Sequence, residues 1–69
     1  MDITYEIVVY DTEVDYFNRN GVIADEGITD KELALKTGKE LLEWYEVVKV
    51  QSNDREFIEL LTAKNINIC

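Results

Sequence analysis

Apolar and polar residues alternate along the first ten positions of the chain. An extended segment over residues 2–10 places four apolar side chains on one face: Ile3, Tyr5, Ile7 and Val9. A period of two residues is typical of a β-strand that buries one face. The pattern therefore predicts a first strand over residues 2–10.

The dipeptide Asn20-Gly21 is the strongest short turn signal in the chain. It follows residues 11–15, which are too charged to belong to a core. One interpretation pairs residues 14–18 with residues 22–25 as a β-hairpin across this turn. The aromatic and β-branched residues on both sides have strand preferences, which favours the hairpin.

A short helix is the alternative interpretation of the same segment. Thr12 would cap this helix, with Asp15 at the third position. Gly21 would then end it in a left-handed conformation. Both interpretations of residues 12–25 remain open at the level of sequence.

A helix is predicted from about residue 30 to residue 44. Thr29 and Glu32 have the spacing of a capping box. Asp30 adds a negative charge near the positive end of the helix dipole. Gly38 would let the helix backbone lie close to a sheet.

The predicted helix has an apolar stripe that should face the core. Four residues form the stripe, and Leu33 widens it: Ala34, Thr37, Leu41 and Trp44. Leu35 and Leu42 fall outside the stripe. They belong either to a broader core face or to a dimer seam.

The last third of the chain has the pattern of a β-hairpin. Residues 45–51 and 56–62 are rich in strand-forming residues, and residues 52–54 form a turn between them. Ile66 and Ile68 could extend the last strand or add an edge. The predicted order is β(β)αββ, with the helix packed on one face of a three- to four-stranded antiparallel or mixed sheet, which is the α+β class.

Size and composition indicate one small globular domain over residues 1–69. The hydrophobic fraction of 46% is ordinary for a folded chain. A domain of this size is marginally stable alone, and a single cysteine with no histidine excludes an internal disulfide and the usual zinc sites. Oligomerisation is the remaining common source of stability, so a homodimer is expected. Cys69 should be a free thiol.

No targeting or membrane-spanning pattern stands out. Asp2 and Glu6 occupy the region where a signal peptide would be basic, and no apolar run approaches the roughly 18 residues that a membrane span needs. We expect a soluble cytoplasmic protein that does not bind membranes.

The negative charge is concentrated in the first thirty residues. Eight acidic residues meet Arg19 alone, for a net charge of −7, whereas from residue 31 onward seven acids meet six bases, for a net charge of −1. A local imbalance of this kind repels nucleic acid and favours a basic partner. Direct nucleic-acid binding is therefore not expected.

Several kinds of chemistry lack the residues that they require. Without histidine, Ser52 and Cys69 have no imidazole base, and the three glycines form no phosphate-binding loop. Asp11, Glu13 and Asp15 have the spacing of the first ligands of a calcium loop, but the glycine and glutamate that complete it are missing. We expect no enzyme activity, no cofactor and no metal site.

The acidic residues themselves are the candidate binding site. Carboxylates two residues apart on a strand lie about 6.6 Å apart on one side, a distance broadly comparable to that between neighbouring DNA phosphates. Six residues form the predicted partner-binding rim: Glu6, Asp11, Glu13, Asp15, Asp25 and Glu26. Such a rim would occupy a basic DNA-binding groove, and a dimer would double its length.

In size, acidity, lack of histidine and proline, and the acidic stretch 11–15 beside Asp25-Glu26, the chain resembles the small early proteins of bacteriophages that mimic DNA. This group includes a Bacillus phage inhibitor of the nucleoid protein HU, inhibitors of uracil-DNA glycosylase and anti-restriction proteins. The resemblance implies a stoichiometric inhibitor that occupies the DNA-binding surface of its partner, with HU-like proteins as the first target to test. If the chain is phage-encoded, it would act in the host cytoplasm.

The same residues are also compatible with two different roles. An acidic surface can simply keep a protein soluble. Alternatively, the chain is a regulator that binds RNA polymerase or another enzyme through an apolar helix or hairpin patch near Leu35, Leu42 or Tyr10.

Overall fold

The architecture is one helix layered on an antiparallel β-sheet, with a second, short helix beside it. A computed structural model of the chain describes residues 2–62. Its elements are β1 (Tyr5–Tyr10), α1 (Glu13–Phe17), β2 (Val22–Ile28), α2 (Lys31–Leu41), β3 (Val47–Ser52) and β4 (Ile58–Thr62). The four strands pair in the order β2-β1-β3-β4, and every pair is antiparallel. The predicted α+β class is confirmed.

The core lies between α2 and one face of the sheet. Six buried apolar side chains form it: Ile7, Val9, Ala34, Val48, Val50 and Leu61. The pairing of β1 with β3 places Ile7 opposite Val50 and Val9 opposite Val48, so these four side chains form a continuous patch under the helix. The face of the first strand that was predicted to be buried is indeed buried at Ile7 and Val9. Ile3, by contrast, lies before β1 and is exposed.

Gly38 is the point where α2 comes nearest to the sheet. A Cβ atom at this position would lie 2.9 Å from Cγ2 of Val50 and 3.2 Å from Cδ1 of Leu61. A glycine is required here because a side chain would push the helix away from the strands. The predicted close approach is confirmed.

The core face of α2 is rotated relative to the predicted stripe. Leu33 and Trp44 are exposed by 52% and 77%, whereas Leu35 and Leu42 pack against the core. The close approach at Gly38 centres the buried face on Ala34 and Gly38, and this turns Leu33 outward. Leu35 and Leu42 thus belong to the broader core face, which was the first of their two predicted roles.

Both ends of α2 differ from the prediction. The cap is Asp30, whose carboxylate accepts a hydrogen bond of 3.0 Å from the amide of Glu32, so the capping box predicted from Thr29 is wrong. The helix ends at Leu41, because the amides of the next residues bond three positions back, as Trp44 does to Leu41. This tighter turn takes Trp44 out of the helical phase.

Residues 13–17 form helix α1, so the favoured hairpin prediction is wrong for this segment. Thr12 caps the helix by accepting a hydrogen bond of 3.1 Å from the amide of Asp15, as the alternative predicted. Residues 22–28 do form a strand, but they pair with β1 rather than with residues 14–18. Arg19, with φ of 60°, takes the left-handed conformation that was predicted for Gly21.

Gly21 has a packing role instead. A Cβ atom at Gly21 would lie 2.5 Å from the ring of Tyr10 and 2.6 Å from Cγ1 of Val8. The glycine lets the chain pass close over these two side chains at the start of β2.

The predicted C-terminal hairpin is confirmed as β3 and β4. Each strand starts two residues later than predicted, and β3 includes Ser52, which the sequence placed in the turn. The hydroxyl of Ser52 donates to Asp54 and accepts a hydrogen bond of 3.2 Å from the amide of Phe57, which ties the turn to the end of β3. Ile66, Ile68 and Cys69 lie outside the described residues.

The sheet face opposite α2 is covered at one end. Tyr10 and its cross-strand partner Val47 are 6% and 2% exposed there, and the ring of Tyr16 packs edge-on against Tyr10 at 5.2 Å. We call the rest of this surface the open face. Three of its apolar side chains are exposed: Ile23, Ile58 and Leu60.

Candidate interaction surface

The sheet order converts the charge imbalance of the sequence into a spatial one. Residues 2–30 build β1, α1 and β2, which form one half of the sheet, and β3 and β4 form the other. Residues 2–30 carry eight acids and one base, for a net charge of −7, and residues 31–62 carry seven acids and five bases, for a net charge of −2. The half built from residues 2–30, which we call the negative half, is therefore far more negative than the rest of the molecule.

Three of the six predicted rim residues lie at the C-terminal end of β1. Asp11 is exposed in the loop, and Glu13 and Asp15 are half-buried in α1. The backbone amide of Glu13 donates to Oε1 of Glu46 at 3.2 Å, which brings a fourth carboxylate to this end. We call these four residues the end group.

Sequence reasoning missed Glu46 because it belongs to the less acidic part of the chain. The antiparallel pairing of Tyr10 with Val47 is what places Glu46 beside the residues that follow β1. A correct prediction of that register would have found it.

The phosphate-like spacing predicted for residues 11–15 does not form. That spacing required an extended segment, whereas Glu13 and Asp15 lie in the first turn of α1. Residues two apart on a helix are separated by about 200° around its axis, so the two side chains point in different directions. The end group is therefore not a linear track of evenly spaced carboxylates.

The other three predicted residues lie along β2 and the start of β1. Glu6 and Glu26 line a polar recess of about 440 Å³ that also includes Arg55. Asp25 is exposed at a bulge in β2 and accepts a hydrogen bond of 2.9 Å from the amide of Glu26. Glu6, Asp25 and Glu26 form the edge group.

The two acidic groups are separate. Glu6 and Asp11 are five residues apart along β1, or roughly 17 Å for an extended chain. Glu6 is also engaged, because its carboxylate accepts a hydrogen bond from the side-chain amide of Gln51. The structure therefore keeps all six predicted residues on the negative half but divides them between its end and its edge.

The side chains of Ser52 and Asp54 form hydrogen bonds within the β3–β4 turn. The hydroxyl of Ser52 and the amide of Glu56 both donate to the carboxylate of Asp54, and these bonds hold the pKa of Asp54 below its ordinary value of 3.8. Ser52 is 2% exposed. These contacts stabilise the turn and give Ser52 a structural role.

Within residues 2–62 no group of three or more acidic or thiol side chains is arranged to hold a metal ion. The same part of the chain has no helix long and apolar enough to cross a membrane.

The apolar side chains expected to meet a partner differ in exposure. Tyr10 is buried under α1, whereas Leu35 and Leu42 are half-buried against the core and Leu35 also lines a surface recess of α2. The most exposed rings are Phe17 at the end of α1 and Trp44 after α2, each 77% exposed. Phe17 lies beside the open face, where it lines a recess together with Val8 and Lys49.

Comparisons with protein-family models, with curated proteins and with solved structures found no match to this chain. Functional inference therefore depends on the charge distribution and the surface features described above.

Proposed function

We propose that this protein is a non-enzymatic inhibitor that mimics DNA and occupies the DNA-binding surface of a basic protein. The observation that carries the proposal is the segregation of charge, with a net charge of −7 on residues 2–30. HU-like nucleoid proteins are the favoured partner class, and the protein would then act in the cytoplasm that holds them.

Electrostatic attraction is the expected source of affinity and of rapid association. Asp11, Asp25 and Glu26 are exposed, so a partner's lysines and arginines can reach them without displacing the core. Opposite charges across an interface steer encounter, and salt screens them with a Debye length of about 10 Å at 0.1 M. Binding should therefore weaken steeply as salt increases.

A charge-reversal pair tests which surface binds. The triple variant Asp11→Lys, Asp25→Lys, Glu26→Lys should lose binding to a purified HU-type protein at low salt. The control Glu40→Lys, Glu43→Lys, Glu59→Lys changes the net charge equally at exposed positions of residues 31–62 and should keep most of the affinity. Equal loss in both variants would show that net charge matters and that the negative half has no special role.

Loss of the fold must be separated from loss of binding. Asp25 supports the backbone of the bulge through its hydrogen bond to Glu26. The milder triple variant Asp11→Asn, Asp25→Asn, Glu26→Gln keeps the side-chain shapes, and circular dichroism should match the unmodified protein. Its affinity should fall between those of the unmodified protein and the lysine variant.

Competition distinguishes mimicry from other acidic interactions. Duplex DNA and this protein should exclude each other from the HU-type protein in an electrophoretic or fluorescence-anisotropy assay. A ternary complex, or a complex that persists at high salt, would contradict the proposal.

A second candidate function is a regulator that binds RNA polymerase or another enzyme through apolar contacts. The observation in its favour is the exposure of Ile58 and Leu60 on the β3–β4 hairpin and of Trp44 after α2. A complex of this kind should be weakened by Leu60→Ser and be nearly indifferent to the reversal of Asp11, Asp25 and Glu26. The homodimer also remains a prediction, which sedimentation equilibrium measures directly.

A further inference from the structure

A recess lies between α1 and the open face of the sheet. It is open to solvent and has a volume of about 730 Å³. The side chains of Tyr10, Tyr16 and Phe17 line it, next to Val8 and Gly21. The absence of a side chain at Gly21 keeps the strand close to Tyr10 beside this recess.

The recess has the opposite charge to its surroundings. Arg19 and Lys49 line it, and no acidic residue does so within the described chain, although the whole sequence contains 15 acids. Arg19 is also the single base of the first thirty residues. The protein is acidic as a whole, but this recess gives it a local cationic site that an anion can enter.

The position of Arg19 at the recess is fixed by the end of helix α1. Its φ of 60° lies in the left-handed region, which disfavours side chains other than those of glycine, asparagine and aspartate. The end of α1 imposes this conformation, because the amide of Asn20 bonds back to the carbonyl of Asp15 and the amide of Arg19 to that of Tyr16. Arg55, in the β3–β4 turn, has a similar φ of 61°.

The aromatic residues supply a surface for a flat ligand. Tyr16 packs edge-on against both Tyr10 and Phe17, with ring centroids 5.2 Å and 5.6 Å apart. Phe17 is 77% exposed, which leaves most of its ring available for stacking. A ring placed here would lie near the two cations.

We infer that this recess binds a small aromatic anion, with its ring against Tyr16 and Phe17 and its negative group at Arg19 and Lys49. A heteroaromatic phosphate and an aromatic carboxylate share this chemistry. The inference is independent of the proposed function, because a basic partner would contact the end and edge groups and not the cationic recess.

A matched pair of fluorescent probes tests the assignment. 8-Anilinonaphthalene-1-sulfonate carries rings and a sulfonate, and N-phenyl-1-naphthylamine carries the same rings without the charge. The sulfonate should bind more tightly, despite the net charge of −8 on the protein. Equal or weaker binding of the sulfonate would overturn the inference.

Variants locate the probe. Arg19→Gln and Lys49→Gln should each weaken sulfonate binding about fivefold and leave the neutral probe unchanged, since each removes one charged contact. Phe17→Ala should weaken both probes. The controls Lys36→Gln and Arg55→Gln remove cations outside the recess, and a loss equal to that of Arg19→Gln would contradict the site.

Displacement of the bound sulfonate identifies the source of the natural anion. Adenosine monophosphate should displace it if the ligand is a heteroaromatic phosphate, and salicylate if it is an aromatic carboxylate. Displacement by either supports the inference, and displacement by neither at saturating concentration overturns it. Backbone amide shifts in nuclear magnetic resonance spectra should map to residues 16–21 and Lys49, and shifts confined to other residues would equally overturn it.

Discussion

Two single residues determine how the helix packs on the sheet and how the C-terminal hairpin turns. Gly38 allows α2 to meet the sheet, and Ser52 joins the turn to the end of β3. Neither residue belongs to the end group or to the edge group. Their substitutions therefore test the fold independently of any partner.

Gly38→Val should lower the free energy of unfolding by about 1–3 kcal/mol, because the added side chain overlaps Val50 and forces the helix outward. Lys36→Val, at an exposed position of the same helix, introduces the same β-branched residue without a clash. Urea denaturation followed by circular dichroism measures both. Because valine has a higher helix propensity than glycine, a cost at Gly38 no larger than that at Lys36 would show that the predicted overlap with Val50 is absent.

Asp54→Asn should destabilise the protein near neutral pH and lose its effect in acid. The pKa of Asp54 is lowered in the folded state, so its contribution is complete above the ordinary value of 3.8 and disappears as the pH falls through the lowered value. Denaturation at several pH values measures the difference from the unmodified protein. Glu59→Gln removes a negative charge from an exposed position and serves as the control.

At the scale of elements, the predictable parts were those in which the local pattern and the tertiary contacts agree. The alternation in β1, the two strands of the hairpin and the close approach of Gly38 follow from residue type and period. Helix α1 did not follow, because its aromatic residues favour strands locally. Residues 22–28 pair with β1 instead of with residues 14–18, and this tertiary contact decides against the hairpin.

The candidate site was predictable in composition and not in geometry. All six rim residues do lie on the negative half, since the sheet order keeps sequence neighbours together. Their division into two groups depends on the helical conformation of residues 13–17 and on the bulge at Asp25. Neither feature has a signal in the period of the sequence.

The residue that caps α2 is Asp30 in the structure, whereas the sequence pattern predicted Thr29. Asp30→Ala should cost about 1 kcal/mol of unfolding free energy, because the amide of Glu32 loses its acceptor. Thr29→Ala should cost only about a few tenths of a kcal/mol, although the sequence pattern predicted Thr29 as the cap. Thermal denaturation of the two variants measures the contrast, and a larger cost at Thr29 would restore the capping box.

At the scale of the whole molecule, uneven charge should limit stability. The half built from residues 2–30 carries a net charge of −7, and its carboxylates repel one another at low salt. Added sodium chloride should therefore raise the unfolding midpoint. A midpoint that is independent of salt between 10 mM and 0.5 M would show that this repulsion is negligible.

Reversing one charge should reproduce part of the salt effect. Asp11→Lys lies in the negative half and should raise the midpoint more than Glu59→Lys, which lies at an exposed position of the other half. The difference should shrink as salt screens the charges. Differential scanning calorimetry at low and high salt measures it.

The irregular pairing of β2 has a consequence for storage and expression. This strand is at one margin of the sheet, its register to β1 shifts twice, and Asp25 and Glu26 stand at those shifts. An edge strand that is bulged and charged pairs poorly with the backbone of a second molecule, so β2 opposes fibril growth at this edge of the sheet. Strand pairing between molecules should therefore be disfavoured at β2 for as long as the strand keeps its two register shifts.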